Sequence, residues 1–195
     1  VLATGGGTTT DKANFATAVY EAELWSPVSK AWTTLSRAQT PRLYHSTALL
    51  LRDATVLVAG GGRENGRSQP DPKDQANAEV FSPPYLFRGQ RPVIAWAPAL
   101  LQYGTVFSVV TPDFARIASV SLIALGSVTH SFNENQRFVP LNFQAASGSL
   151  TVLPPADGNT APPGPYMLFL VDTNGVPSVA AMVRLPAPGV DTQKP

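Results

Sequence analysis

Val1-Leu2-Ala3-Thr4-Gly5-Gly6-Gly7 and Val56-Leu57-Val58-Ala59-Gly60-Gly61-Gly62 are two copies of one pattern, a short apolar run closed by three glycines. A second pair follows in the same order: Ala22-Glu23-Leu24-Trp25-Ser26-Pro27 and Ala78-Glu79-Val80-Phe81-Ser82-Pro83. The offset is 55 residues between Val1 and Val56, and 56 between Ala22 and Ala78. An apolar strand that runs into glycines gains access to positive φ and a close backbone turn. A strand that ends in Ser-Pro is stopped there, because proline has no N–H for the ladder.

A period of about 50 residues points to kelch-type propeller blades. Each blade is a small sheet whose faces need neighbouring blades to be buried. Fewer than two full repeats cannot close a ring, so blades from elsewhere in the protein are expected as partners. After Phe87-Arg88-Gly89-Gln90-Arg91-Pro92 the glycine-run pattern stops. Strand-like runs follow at 93–96, 105–110, 120–125, 149–153, 166–171 and 179–185, separated by turn residues such as Asp157-Gly158-Asn159 and Thr173-Asn174-Gly175. This spacing predicts an antiparallel β-sandwich. The expected fold class is therefore all-β. Final kelch blades are expected at 1–90, a β-sandwich at 91–186, and a proline-rich tail at 187–195.

Composition agrees with this reading. Nineteen prolines and fifteen glycines in 195 residues argue against long helices. The net charge is +1, and no Lys/Arg run supports binding to nucleic acid or to an anionic membrane. No run of eighteen apolar residues predicts a membrane span. There are no cysteines, which removes disulfides, thiolate metal sites and cysteine nucleophiles from this chain. The chain opens on Val1 without an initiator Met or a signal-peptide pattern, which reads as part of a longer product.

The chain has two histidines. His45 lies in Pro41-Arg42-Leu43-Tyr44-His45-Ser46, beside a tyrosine at the start of a strand-like run that reaches residue 51. His130 lies in Val128-Thr129-His130-Ser131-Phe132-Asn133, at a loop or hairpin tip. Imidazole nitrogen suits copper, and a phenolate oxygen suits Cu(II). Adjacent strand residues point to opposite faces, so Tyr44 and His45 share a ligand only if the strand start is irregular. A histidine held by core hydrogen bonds and a surface histidine fit the same residues, and 85 intervening positions carry no local metal-ligand spacing.

The remaining features are weaker. Gly5–Gly7 and Gly60–Gly62 lack the Lys-Ser/Thr of a phosphate loop. Trp25, Trp32 and Trp96 are expected in packing. Asp71, Lys73 and Asp74 read as a solvated insertion. Tyr85, Trp96 and Tyr103 are candidate sugar-stacking aromatics. No local Ser-His-Asp arrangement is present.

The landmarks R-L-Y-H-S-T-A-L-L-L (42–51), V-L-V-A-G-G-G (56–62), A-E-V-F-S-P-P-Y-L-F (78–87), R-P-V-I (91–94), T-H-S-F-N-E-N-Q-R (129–137) and P-Y-M-L-F-L-V-D-T-N-G-V-P-S-V-A (165–180) occur in one order. In that order they resemble the C-terminal half of the galactose oxidase and glyoxal oxidase family of copper radical oxidases. The resemblance implies a seven-bladed kelch propeller followed by an immunoglobulin-like domain. It implies one copper ion held by Tyr44, His45 and His130, with Tyr44 also taking the proton of the substrate alcohol. His130 would stand on a hairpin of the second domain that enters the propeller channel. The implied reaction oxidises a small alcohol, aldehyde or carbohydrate and reduces dioxygen to hydrogen peroxide.

The family's Tyr–Cys radical cofactor comes from earlier blades, and this chain has no cysteine to supply it. N-terminal blades of the same precursor or assembly are the implied partner, and an extracellular location is the family's. The alternative is a non-catalytic extracellular structural or carbohydrate-binding protein on the same scaffold.

Overall fold

The computed structural model describes residues 1–11, 14–62, 74–130 and 132–187. Asp71, Lys73 and all but the first residue of the expected 187–195 tail lie outside the described residues. The fold is all-β and mostly antiparallel, with a few short 3-10 turns. Among the described residues no closed propeller is formed. Among the described residues no helix is long and apolar enough to cross a membrane. The chain divides into two compact units. The first comprises Val1–Leu49, Val56–Phe81 and Ser127–Glu134. The second comprises Leu50–Thr55, Ser82–Gly126 and the described residues from Asn135 onward.

The first unit holds two three-stranded sheets and a hairpin. Strands β1 (Leu2–Ala3), β2 (Glu21–Ser26) and β3 (Ala31–Arg37) pair in that order. Strands β4 (Ser46–Leu50), β5 (Val56–Gly60) and β6 (Ala78–Phe81) form the second sheet. The two sequence repeats therefore occupy matching places, with each glycine run leaving the end of a strand. Leu43, Val56, Val58 and Ala22 are buried here. The run at Leu49, Leu50 and Leu51 is only half-buried, whereas its apolar continuity predicts burial on both faces. Two tryptophans also depart from the packing expected of them: Trp32 is 54% and Trp96 55% exposed. Trp32 stands on β3, the edge strand of its sheet, directly opposite half-buried Trp25.

The second unit is built on two sheets. One has the order β11 (Phe138–Leu141), β8 (Ile117–Ala124), β14 (Gly164–Asp172), β15 (Ala181–Leu185). The other has the order β12 (Phe143–Ala146), β13 (Ser149–Val152), β7 (Phe107–Val110). Strand alternation explains the central strand β14. Tyr166, Leu168 and Leu170 enter a core with Val109, Val120 and Leu150. Met167 and Phe169, on the opposite face, pack with Ala54 and Ala180. Tyr85 borders this second cluster and donates its hydroxyl to the Ala54 carbonyl at 2.7 Å; burial pushes its phenol up to about 12. Tyr103 likewise donates to the Ala161 carbonyl at 2.7 Å. Both rings are thus engaged in structure.

The strand-like run at 93–96 is not a strand. The N–H groups of Ala95 and Trp96 both donate to the Val110 carbonyl, at 2.9 and 3.3 Å, so the run collapses to a single bridge and its alternation is lost.

Candidate metal centre

The segment from Pro41 to Ser46 is fastened between the two glycine runs. The Gly6 N–H donates to the Arg42 carbonyl at 2.7 Å, and the Gly62 N–H donates to the Tyr44 carbonyl at 2.7 Å. The approach on the first side requires glycine: a Cβ on Gly5, whose φ is +73°, would stand 2.6 Å from the Arg42 oxygen and 2.8 Å from its Cβ. The Ser46 N–H turns back to the Leu43 carbonyl at 3.0 Å. β4 begins only at Ser46, so Tyr44 and His45 stand in a turn before the strand.

That irregularity brings the two rings to one side. His45 has φ +63°, in the left-handed region that L residues avoid at a cost of roughly 1–2 kcal/mol. Its ring stacks on Tyr44 with centroids 3.9 Å apart and planes inclined by 29°. Its Nδ1 lies 3.2 Å from the Gly62 carbonyl oxygen. A carbonyl only accepts, so this contact puts the proton on Nδ1 and leaves the Nε2 lone pair as the donor.

His130 reaches the same place from a hairpin of the first unit. β9 (Val128–Thr129) and β10 (Phe132–Asn133) pair with Thr129 opposite Phe132, which leaves a two-residue loop. His130 is the first loop residue, with φ +51°, as tight hairpin turns with primed geometry demand. The base is closed by the Ser127 N–H on Asn133 Oδ1 at 3.0 Å and the Glu134 N–H on the Ser127 carbonyl at 2.9 Å. The His130 ring lies 4.9 Å from that of His45 and 5.8 Å from that of Tyr44, both edge-on. Its Nδ1 contacts Thr129 Oγ1 at 2.8 Å. Tyr44 and His130 border a cavity of about 590 Å³ whose lining also includes Gly6, Thr10, Asp11 and Phe132.

Among the described residues no cluster of three His, Cys, Asp or Glu side chains exists. The donor set here is two imidazoles and one phenol, which suits a borderline metal such as copper and not a hard cation. Each imidazole has its Nδ1 engaged by a neighbour, the arrangement by which outer partners orient metal-binding histidines.

Residues 91–185 match the model of the galactose oxidase-like Early set domain. The chain belongs to the galactose oxidase-like family. It is 36% identical over 179 residues to the aldehyde oxidase GLOX of Vitis pseudoreticulata, covering 82% of this chain and 33% of that protein. It is 31% identical over 176 residues to the galactose oxidase of Gibberella zeae, covering 87% of this chain and 25% of that protein. Among solved structures it resembles a fungal alcohol oxidase of the AA5 family in complex with copper. That likeness has a TM-score of 0.84 and 32% identity, over 95% of this chain and 40% of that one. The chain thus spans a third or less of these two curated relatives.

In this galactose oxidase-like chain the sequence reading passed over what lies behind the rings. Arg42 is 1% exposed. Its Nη1 donates to the carbonyls of Gly60 at 2.9 Å and Asn77 at 3.0 Å; its Nη2 donates to Asn77 Oδ1 at 2.7 Å and Glu79 Oε2 at 3.2 Å. Glu79 also accepts the N–H groups of Gln39 at 2.7 Å and Thr40 at 3.2 Å. Burial pushes the Glu79 carboxyl up, but the Gln39 N–H, the Arg42 guanidinium and the Thr40 N–H outweigh it and hold it below its ordinary range. The signal was in the repeat itself: Glu23 and Glu79 hold the same place in its two copies, a charge on a strand that solvation alone does not require.

Proposed function

We propose that this chain is the C-terminal portion of a copper radical oxidase that converts a primary alcohol or aldehyde to its oxidised product and dioxygen to hydrogen peroxide. The observation that carries the reading is the meeting of Tyr44, His45 and His130, with both histidines in left-handed backbone. Strain of this kind persists where the surroundings over-determine it, and it clusters at functional sites. In this reading the sheets β1–β3 and β4–β6 are the last blades of a kelch propeller, and residues 91–186 are an immunoglobulin-like domain. The cysteine-bearing tyrosine stands on preceding blades of the same precursor, and the protein is extracellular.

His45 and His130 hold one copper ion through Nε2, and Tyr44 is a third ligand. With the Tyr–Cys radical, the copper supplies the two redox equivalents of the reaction. The task of this chain is binding and proton handling. The Tyr44 oxygen takes the proton of the substrate hydroxyl, and stacking on His45 keeps the phenol in place. For an alcohol the balance is RCH2OH + O2 → RCHO + H2O2, two hydrogens leaving the substrate for dioxygen.

The test uses the native protein that contains this chain. Metal analysis should find one copper per chain, lost in His45→Ala and in His130→Ala. Peptide mapping should find a Tyr–Cys peptide lighter by two hydrogens, and peroxide release should follow addition of a primary alcohol or aldehyde. Copper retained in both histidine variants, or a mature protein lacking the thioether, would overturn the oxidase reading and leave a non-catalytic scaffold.

A further inference from the structure

We propose that Arg42, with Glu79 as its counter-charge, is the positioning residue that sets the geometry of the Tyr44–His45 pair. The proposal rests on the reading of that pair as metal ligands, and its test separates the two.

Arg42 is two residues before Tyr44, and every group it touches borders the same turn. Gly60 begins the glycine run whose last member, Gly62, holds both the Tyr44 carbonyl and the His45 ring. A Cβ on Gly60 would stand 3.1 Å from the His45 carbonyl. Asn77 and Glu79 belong to the next strand and its approach, and Glu79 gathers the N–H groups of Gln39 and Thr40, just upstream of Arg42. The Arg42 carbonyl receives Gly6 from the other side. One guanidinium therefore fixes the entry to the turn to the same glycine run that fixes its exit.

Stability alone is a poor account of this arrangement. Among the described residues the Arg42 Nε is the one buried side-chain nitrogen or oxygen without a hydrogen-bond partner. Burying the Arg42 charge against a partly exposed Glu79 carries a desolvation penalty that an apolar side chain of similar size avoids, and an orphaned N–H adds to it. In some proteins such pairs specify one geometry among several. The geometry specified here is a left-handed histidine stacked on its neighbour. A lysine at position 42 keeps the charge. It cannot reproduce the planar fork that reaches Gly60, Asn77 and Glu79 together.

The experiment is ring-proton NMR of the metal-free native protein with labelled histidine, followed by Cu(II) titration of the same samples. In the parent protein the His45 ring protons should be displaced from ordinary histidine positions by the Tyr44 ring stacked 3.9 Å away. In Arg42→Lys that displacement should collapse while sheet circular dichroism persists. His130, edge-on to the same rings but held by its own hairpin, should shift less than His45. Copper affinity should fall by about 10–100-fold, as for other partners behind metal ligands. If Arg42→Lys does not fold, Glu79→Gln, which keeps Arg42 and its bonds to Gly60 and Asn77, should show a partial collapse.

A folded Arg42→Lys protein with unchanged His45 shifts, or an unchanged Glu79→Gln where the lysine variant is unfolded, overturns the positioning role. If the parent protein binds no Cu(II), the metal reading fails instead, and the NMR result still decides whether Arg42 sets the ring geometry.

Discussion

Gly5→Ala and Gly6→Ala form a pair that isolates the contact on which the site depends. Both glycines have positive φ, +73° and +88°, so alanine carries the same backbone strain at each, roughly 1–2 kcal/mol. Their surroundings differ. A Cβ on Gly6 meets nothing within 4 Å. A Cβ on Gly5 would stand 2.6 Å from the Arg42 oxygen and 2.8 Å from the Arg42 Cβ, and both atoms belong to a residue that cannot swing aside. Relief requires the Gly6 N–H to leave the Arg42 carbonyl, a loss of about 1 kcal/mol. It also drags a buried guanidinium off its acceptors, where bonds to a charged group are worth about 1.5–3 kcal/mol. Gly5→Ala should therefore cost about 2–4 kcal/mol more than Gly6→Ala in urea unfolding, and should displace the His45 ring signals while Gly6→Ala leaves them in place. Equal destabilisation by the two variants would refute the claim that the first glycine run is there to let Arg42 approach.

Acid should weaken the first unit through Glu79. Its folded carboxyl sits below the ordinary 4.5, so its stabilisation is complete above that pH and is lost as pH falls through the folded value. Glu79→Gln should flatten that part of a stability-versus-pH curve, and an unchanged slope would sink the assignment. In the second unit, Asp172 is buried and accepts the N–H groups of Asn174 and Val176, both at 2.9 Å, together with the Arg116 guanidinium. Asp172→Asn should cost about 1.5–3 kcal/mol by denaturant unfolding, and a cost below half a kcal/mol would show the charge to be dispensable. His130→Gly relieves a strained loop residue, so stability should hold or rise by up to about 1 kcal/mol while copper binding disappears. A loss greater than 1 kcal/mol would mean that the imidazole is kept for the fold.

Much of this was legible in the residues. The repeated apolar-to-glycine pattern located β1 and β5, and the repeated Ser-Pro-ended pattern β2 and β6, because strand and turn chemistry are local. Five of the six strand-like runs after residue 91 became β7, β8, β13, β14 and β15. The short strands β11 and β12 passed unread, since Phe138-Val139-Pro140-Leu141 carries a proline that argues against a strand interior. In the structure Pro140 lies on an edge strand, where its missing N–H breaks no ladder. The site was less legible. Spacing gave no reason to join His45 to His130, 85 positions away; only the family resemblance did so. The Arg42–Glu79 pair, 37 positions apart, had no such help, because an arginine reads as surface until its burial is seen.

Backbone conformation carries the part of the site that side-chain chemistry leaves open. Among the described residues, four other than glycine have positive φ: Lys30, His45, Ala54 and His130. Two of the four are the chain's two histidines. Lys30 turns the β2–β3 connection and Ala54 the tight turn before β5, places where a left-handed residue is a matter of loop length. His45 has no such excuse, since the chain could enter β4 in extended conformation with Tyr44 and His45 on opposite faces. It is held in the strained form by Gly62 on one side and Arg42 on the other, and the result is that adjacent residues present both rings to His130. A fold that needed only a strand start here would gain from glycine at position 45, which enters the left-handed region without steric cost. On the proposed reading the imidazole is kept for the metal site, with the glycine runs and the buried arginine as the structure that makes it tolerable.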